Sequence, residues 1–165
     1  THDASATLAY SGSRVSELAE LRHDFVLLDR GRFGMIRVVR GGSGETTKTK
    51  RERVIPIFSR IRPIFDRLPR DDERVLPTLR DRTLLSRIKQ LCRELGYGTH
   101  YKTHSLRHHF ISWCCNEGLP VQQCLQFAGH ASWSMVRRYY TLSDDQADRA
   151  MQSMQIRVQA DEKQR

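Results

Sequence analysis

The sequence predicts a single α+β domain that is mostly helical and carries one small three-stranded antiparallel sheet. Three observations support this class. Three β-rich runs cluster between residues 25 and 57, and apolar residues elsewhere recur at helical spacing. A chain of 165 residues with 38% hydrophobic side chains is long enough to bury one core, so we expect residues 1–165 to form one domain.

The first half of the chain predicts two short helices followed by the sheet. Apolar residues between positions 4 and 22 are interrupted by Ser11-Gly12-Ser13, which favours two helices joined by a turn, with Arg14 opening the second. Strands are predicted at 25–28, 33–39 and 53–57. The glycine-containing basic segment 40–51 is too polar for a core, so we expect a mobile hairpin tip that can reach a ligand.

The second half of the chain predicts helices followed by a short tail at 159–165. Pro120 is placed in the first turn of one helix, and Gly96 ends another, whose apolar face carries Leu84, Leu85, Ile88, Leu91 and Cys92. The six predicted helices span residues 59–68, 83–95, 105–116, 120–127, 132–140 and 143–158.

Charge and composition narrow the function. A formal net charge of +9 makes a polyanion the first partner to consider. No apolar stretch approaches the roughly 20 residues that a membrane-spanning helix needs, so we expect a cytoplasmic protein with no membrane partner. The four cysteines form no Cys-x-x-Cys pair, and we expect reduced thiols in the core. A zinc site formed by Cys114, Cys115, His108 and His109 is disfavoured, because loop-separated ligand pairs are lacking.

Histidine, arginine and tyrosine residues are concentrated between positions 103 and 140. His104 and Arg107 lie three residues apart, so on a helix they share one face and can present an imidazole and a guanidinium to one phosphate. His130 and Tyr139 follow, nine residues apart. A phenol with a pKa of about 10 is a poor nucleophile, so it needs cationic neighbours and a proton acceptor to attack phosphorus. The surrounding histidines and arginines can supply both.

Four motifs follow one another along the chain and lead to a tyrosine. Residues 11–18 read SGSRVSEL, residues 47–56 read TKTKRERVIP, residues 104–108 read HSLRH, and residues 118–130 run from a glycine to Ala-Gly-His. In this order, with a tyrosine nine residues after the last histidine, they resemble the T-G-L-R-x-S-E-L, K-x-x-K-x-R-x-x-P, H-x-L-R-H and G-x(11)-H boxes of the tyrosine recombinase (phage integrase) family. The resemblance covers residues 6–142 and departs from the pattern at Ser13, His109, Ala128 and the Tyr139-Tyr140 doublet.

The resemblance implies a site-specific DNA recombinase or integrase that works without metal, nucleotide or other cofactor through a 3′-phosphotyrosine. The catalytic residues that it implies are Arg14, Lys48, His104, Arg107, His130 and Tyr139. Lys50 is the alternative lysine, and Tyr140 is the alternative nucleophile. Glu17 is expected to position Arg14, although an ordinary ion pair at (i, i+3) spacing is the other interpretation. Further basic residues expected to contact DNA are Lys50, Arg51, Lys102, Arg137 and Arg138.

The resemblance also implies double-stranded DNA as partner and a location at the nucleoid. We expect residues 1–142 to form the catalytic core and helix 143–158 to pack in cis or to dock on a neighbouring protomer. The full-length protein is expected to form a tetramer on DNA, and the isolated domain to be a monomer. The segment before Arg14 is too short for the helical core-binding domain of the family, so we expect that domain to be absent from this chain.

Two other functions remain open at this point. A type IB topoisomerase shares the chemistry but relaxes supercoils without pairing two DNA sites. A non-enzymatic helix-turn-helix regulator would insert residues 132–138 into a major groove. The regulator accounts for the charge and the helices, but it leaves Arg14, the lysine hairpin and His104 without a shared task.

Overall fold

The computed structural model describes residues 2–39, 52–129 and 152. Within this part, the chain forms six α-helices, a short 3₁₀ turn at His23–Phe25 and one three-stranded antiparallel sheet. The predicted α+β class is therefore confirmed. The predicted hairpin tip at 40–51 and the predicted helices at 132–140 and 143–158 lie outside the described residues.

Two helices and a tight turn open the chain, as predicted. Helix α1 spans His2–Ser11, helix α2 spans Val15–Ala19, and Arg14 caps the start of α2. Gly12 has a φ of 62°, and a Cβ at this position would overlap the ring of Phe110. A glycine is needed here both for the left-handed backbone and for the close approach of the ring.

The sheet has the order β1-β2-β3, with β1 at Val26–Leu27, β2 at Met35–Val38 and β3 at Arg53–Pro56. The register pairs Ile36 with Ile55 and Val38 with Arg53. These four residues are buried, whereas Arg37 is exposed. Because successive side chains alternate between the faces of a strand, Arg53 lies on the same inward face as Ile55. One charged residue thus occupies a core position of β3.

The later helices agree with prediction except at their limits. Helix α3 is Arg62–Arg67, shorter than predicted, with Pro63 in its first turn, where a missing N–H costs nothing. Helices α4 and α5 are Asp81–Glu94 and Thr103–Asn116. Helix α6 is Val121–Ala128, so Pro120 caps this helix rather than lying within its first turn, and Gly129 ends it in the left-handed conformation.

The predicted apolar face of α4 is only partly buried. Leu84 is 1% exposed and belongs to the core, and Ile88 packs against it, but Leu91 is 53% exposed. The apolar face predicted from the periodicity is therefore buried in the first half of the helix but not at Leu91. Within the described residues, the core contacts only the first turns of α4. The apolar residues of this helix continue past the turns that the core covers.

The core consists of two apolar clusters. The larger surrounds the sheet and α1, and the smaller contains Phe110, Ile111, Cys114, Cys115, Cys124 and Ala128. Phe58 packs against both clusters and stacks edge-on with Phe110.

The cysteines are free thiols as predicted, although Cys92 is partly exposed rather than in the core. Burial raises the pKa of Cys114 and of Cys115 to about 12. No helix among the described residues is long and apolar enough to span a membrane.

Candidate active site

A cleft of about 550 Å³ lies beside the starts of α2, α4 and α5. Arg14, His104 and Arg107 all contribute to its lining, although Arg14 is far from the other two along the sequence. Arg74 and Arg80 also line the cleft, together with the carboxylates of Glu20 and Asp81, among others. The described lining therefore holds four guanidiniums and one imidazole against two carboxylates, a composition suited to an anion such as a phosphate.

Arg14 is held at the cleft by the carboxylate of Glu17. The backbone N–H of Arg14 donates to Glu17 Oε2 at 2.8 Å, and Arg14 Nη1 donates to Glu17 Oε1 at 2.9 Å. The side chain of Glu17 is 9% exposed, whereas that of Arg14 is 36% exposed. This contact thus differs from an ordinary surface ion pair, because the carboxylate is buried while the guanidinium keeps access to solvent.

The carboxylate of Glu17 is shared with a second arginine, Arg53. Arg53 Nη1 and Nη2 donate to its two oxygens at 3.0 and 2.6 Å, which makes a bidentate pair. Burial would raise the pKa of Glu17, but the hydrogen bonds and the charge of Arg53, and then those of Arg14, lower it from 4.5 to about 2. Glu17 is therefore a carboxylate at any physiological pH.

Arg53 is the site residue that the sequence interpretation missed. It is 7% exposed, and its Nε donates to the carbonyl oxygen of Phe127 at 2.9 Å. The sequence interpretation included Arg53 in the motif at residues 47–56 but assigned it no role. The signal that could have revealed it is the alternation of β3, in which Arg53 takes an inward position next to Ile55 and Ile57.

Arg107 lies at the floor of the cleft and is 1% exposed. Its Nη1 donates to the carbonyl of Gly12 and its Nη2 to the carbonyl of Ala128. One guanidinium from α5 therefore joins the turn before Arg14 to the end of α6. The sequence predicted that Arg107 shares a helix face with His104, and both residues do line the cleft. The spacing gave no information about exposure, and the Arg107 side chain is buried and bonded to backbone carbonyls.

His104 lies in the first turn of α5, with its imidazole accessible in the cleft. Its ring contacts that of His108 edge-on, with the ring centroids 4.7 Å apart. Burial lowers the pKa of His104, and the positive charges of His108, Arg107 and Arg14 lower it further. His104 is therefore largely neutral near pH 7, the state in which an imidazole accepts a proton.

The remaining predicted site residues divide between the surface and the undescribed part of the chain. Lys102 caps the start of α5 and is exposed, and its backbone N–H donates to Ser105 Oγ at 3.0 Å. The other predicted residues lie outside the described residues: Lys48, Lys50, Arg51, His130, Arg137, Arg138, Tyr139 and Tyr140. The structure thus brings together Arg14, Glu17, His104 and Arg107, half of the predicted catalytic set with its supporting carboxylate.

Comparison with known proteins identifies the class to which this fold and cleft belong. Residues 3–146 match the model of the phage integrase family, so the chain belongs to that family. The family prediction from the motifs is confirmed. Tyrosine recombinase XerA of Thermococcus kodakarensis is 28% identical over 156 residues, which cover 88% of this chain and 52% of that protein. The chain thus spans about half the length of this curated relative.

Solved structures share the fold. A crystal structure of XerA recombinase superposes with a TM-score of 0.65 at 23% identity and covers 90% of this chain and 55% of its own. The Tn1549 transposon integrase in complex with transposon right end DNA has a TM-score of 0.70 at 17% identity, and the match covers 93% of this chain and 58% of the integrase chain. The catalytic domain of bacteriophage HP1 integrase has a TM-score of 0.63 at 23% identity, and the match covers 91% of this chain and 79% of the HP1 chain.

Proposed function

We propose that this chain cleaves and rejoins DNA as the catalytic domain of a site-specific recombinase, through a covalent 3′-phosphotyrosine and without metal or ATP. The observation that carries the proposal is the convergence of Arg14, His104 and Arg107 on one cleft. Family membership supports it. So do the DNA complexes of fold relatives, namely the Tn1549 integrase and the XerH recombinase bound to difH substrate.

In this mechanism Arg14 and Arg107 bind the phosphate that is to be cleaved. Among the described residues, Arg14 uses Nη1 for Glu17, so its other N–H donors can bind a non-bridging oxygen. Arg107 contributes a fixed positive charge at the floor of the cleft, held there by the Gly12 and Ala128 carbonyls. Charges fixed before reaction stabilise the additional negative charge of the pentacoordinate transition state without reorganisation.

Proton transfer completes the step. His104 takes the phenolic proton while the oxygen of Tyr139 attacks phosphorus, the bond from phosphorus to the 5′ oxygen breaks, and Lys48 protonates the leaving oxygen. His130 donates a further hydrogen bond to the phosphate. Because the phosphotyrosine retains the energy of the phosphodiester, a 5′-hydroxyl from another strand can reverse the step and exchange strands.

The test is covalent capture of DNA by the nucleophile. The chain is incubated with a library of short nicked duplexes of randomised sequence, and complexes that survive denaturant are counted. Tyr139→Phe should abolish this adduct and leave DNA binding nearly intact, because only the attacking oxygen is removed. Tyr140→Phe is the matched control and should still form it. If Tyr139→Phe forms the adduct, Tyr139 is not the nucleophile; if the unaltered chain forms none, the proposed reaction is wrong.

DNA contacts and assembly are parts of the same proposal. Lys50, Arg51, Lys102, Arg137 and Arg138 bind backbone phosphates, so replacing Lys102 with alanine should reduce the salt dependence of DNA binding by about one unit of slope. We propose a tetramer on DNA that is linked through helix 143–158. A chain ending at Leu142 should then assemble less on DNA than the full chain, and unchanged assembly would argue against this exchange.

A further inference from the structure

Two buried arginines bind neighbouring carbonyls at the C-terminal end of α6. Arg53 Nε donates to Phe127 O at 2.9 Å, and Arg107 Nη2 donates to Ala128 O. The last four carbonyls of a helix have no partner within the helix, and the helix dipole makes this end negative. Both guanidiniums therefore satisfy carbonyls that would otherwise be buried without a donor, and both place a positive charge at the favourable end of the helix.

The same two arginines also bind the segment that carries Arg14. Arg107 donates to the carbonyl oxygen of Gly12, which lies two residues before Arg14. Arg53 donates to both carboxylate oxygens of Glu17, which lies three residues after Arg14. Two parallel guanidinium bridges therefore connect residues 12–17 to the end of α6. Glu17 in turn binds both the backbone and the side chain of Arg14. A chain of hydrogen bonds therefore runs from Phe127 through Arg53 and Glu17 to Arg14.

We propose that Arg53 is a positioning residue for DNA cleavage, which holds Glu17, and through it Arg14, at a fixed place relative to Arg107. This inference rests on the proposed function. Arg53 does not line the cleft, so it acts through Glu17 and Phe127 rather than by touching the phosphate. Gly129 leaves room for it, because a Cβ there would lie 3.0 Å from Arg53 Nη1.

A guanidinium is required because three separate nitrogens of Arg53 serve three acceptor atoms. The distances are 2.9 Å from Nε, 3.0 Å from Nη1 and 2.6 Å from Nη2. A lysine supplies the charge that neutralises Glu17, but its single nitrogen cannot reach both carboxylate oxygens and the Phe127 carbonyl in this geometry. Arg53→Lys keeps the positive charge that the fold needs beside Glu17 but removes the three-nitrogen geometry of the guanidinium. The variant therefore tests the positioning role separately from the role in folding.

The experiment compares Arg53→Lys with Arg37→Lys. Arg37 is the matched control because it lies on the adjacent strand and also donates from two nitrogens, Nε and Nη2, to one carboxylate, that of Glu52, but on the exposed side. Cleavage of the nicked duplex library is measured under single-turnover conditions at saturating protein, beside the dissociation constant and the folded fraction. Arg53→Lys should cleave about 10²-fold more slowly, with binding changed less than about threefold. Arg37→Lys should change neither.

A second measurement tests whether Arg53 couples the two segments, and it requires no DNA cleavage. Hydrogen–deuterium exchange in Arg53→Lys should rise together in residues 14–18 and 124–129 and stay unchanged in α4. A cleavage rate equal to that of the unaltered chain, or one that falls only with the folded fraction, would overturn the positioning role. So would unchanged exchange in both segments. If the unaltered chain forms no adduct, the proposed function fails, and the exchange data alone test whether Arg53 couples the two segments.

A double variant keeps the test usable if Arg53→Lys does not fold. Glu17→Gln combined with Arg53→Gln places two neutral amides where the buried charges were, so neither charge is left uncompensated. The double variant should fold, bind DNA and cleave as slowly as Arg53→Lys, because the link from Arg14 to Phe127 is lost. Cleavage by this variant at the rate of the unaltered chain would contradict the proposal.

Discussion

The buried carboxylate of Glu17 makes the stability of the fold depend on pH in a calculable way. Its pKa falls from 4.5 to about 2 on folding, a shift of about 2.5 units, which corresponds to about 3 kcal/mol of stability. Because the pKa in the folded state is depressed, this contribution is complete above about pH 5 and disappears as the pH falls towards 2. By about pH 3 the same linkage has removed about 2 kcal/mol of it.

Urea unfolding of the unaltered chain and of Glu17→Gln measures this contribution. Glutamine has no charge to titrate, so the stability difference between the two proteins should shrink by about 2 kcal/mol between about pH 6 and about pH 3. Glu52→Gln removes an exposed carboxylate from the pair with Arg37 and should change stability by less than about 1 kcal/mol. A difference between the unaltered chain and Glu17→Gln that stays constant over this range would refute the assignment of Glu17 as a carboxylate held by Arg53.

Two further predictions follow from the geometry. The cleavage rate should fall as acid protonates His104, with a midpoint below pH 6.5. His108→Ala should move that midpoint upward, because it removes a nearby positive charge. An unmoved midpoint in a single-turnover pH series would show that the two rings are not coupled. Gly12→Ala should destabilise the chain by roughly 2 kcal/mol more than Gly118→Ala, because both positions have a positive φ but only Gly12 faces a ring, that of Phe110. Equal urea midpoints for the two alanine variants would contradict this packing.

Local sequence signals were sufficient for most of the architecture. Glycine and proline mark the ends of elements, and within the described residues each predicted helix and strand appears within a few positions of its expected limits. The differences from the predicted limits and burial have separate causes. Pro63 must lie in the first turn of a helix, so α3 begins at Arg62 rather than at residue 59. Helical periodicity shows that one face of α4 is apolar, but it cannot show how far along that face the core extends.

Contacts distant in sequence could not be predicted in the same way. The motifs selected Arg14, His104 and Arg107, and these residues do meet at one cleft. They gave no indication that Arg53 bonds Glu17 and Phe127, because those partners lie 36 and 74 residues away along the chain. Residue type constrains what an arginine can bond, whereas the acceptors that it finds depend on how distant segments pack.

The position of Phe58 between the two apolar clusters affects how the domain unfolds. Its ring stacks edge-on against Phe110 and Trp113 of the smaller cluster, with centroids 6.2 and 4.7 Å apart, and it also packs on the larger one. Neither half can loosen without disturbing the other, so heating should melt both in one cooperative step. A protein that melts in this way loses Arg14 and His104 together, and no half-melted species would keep one side of the cleft.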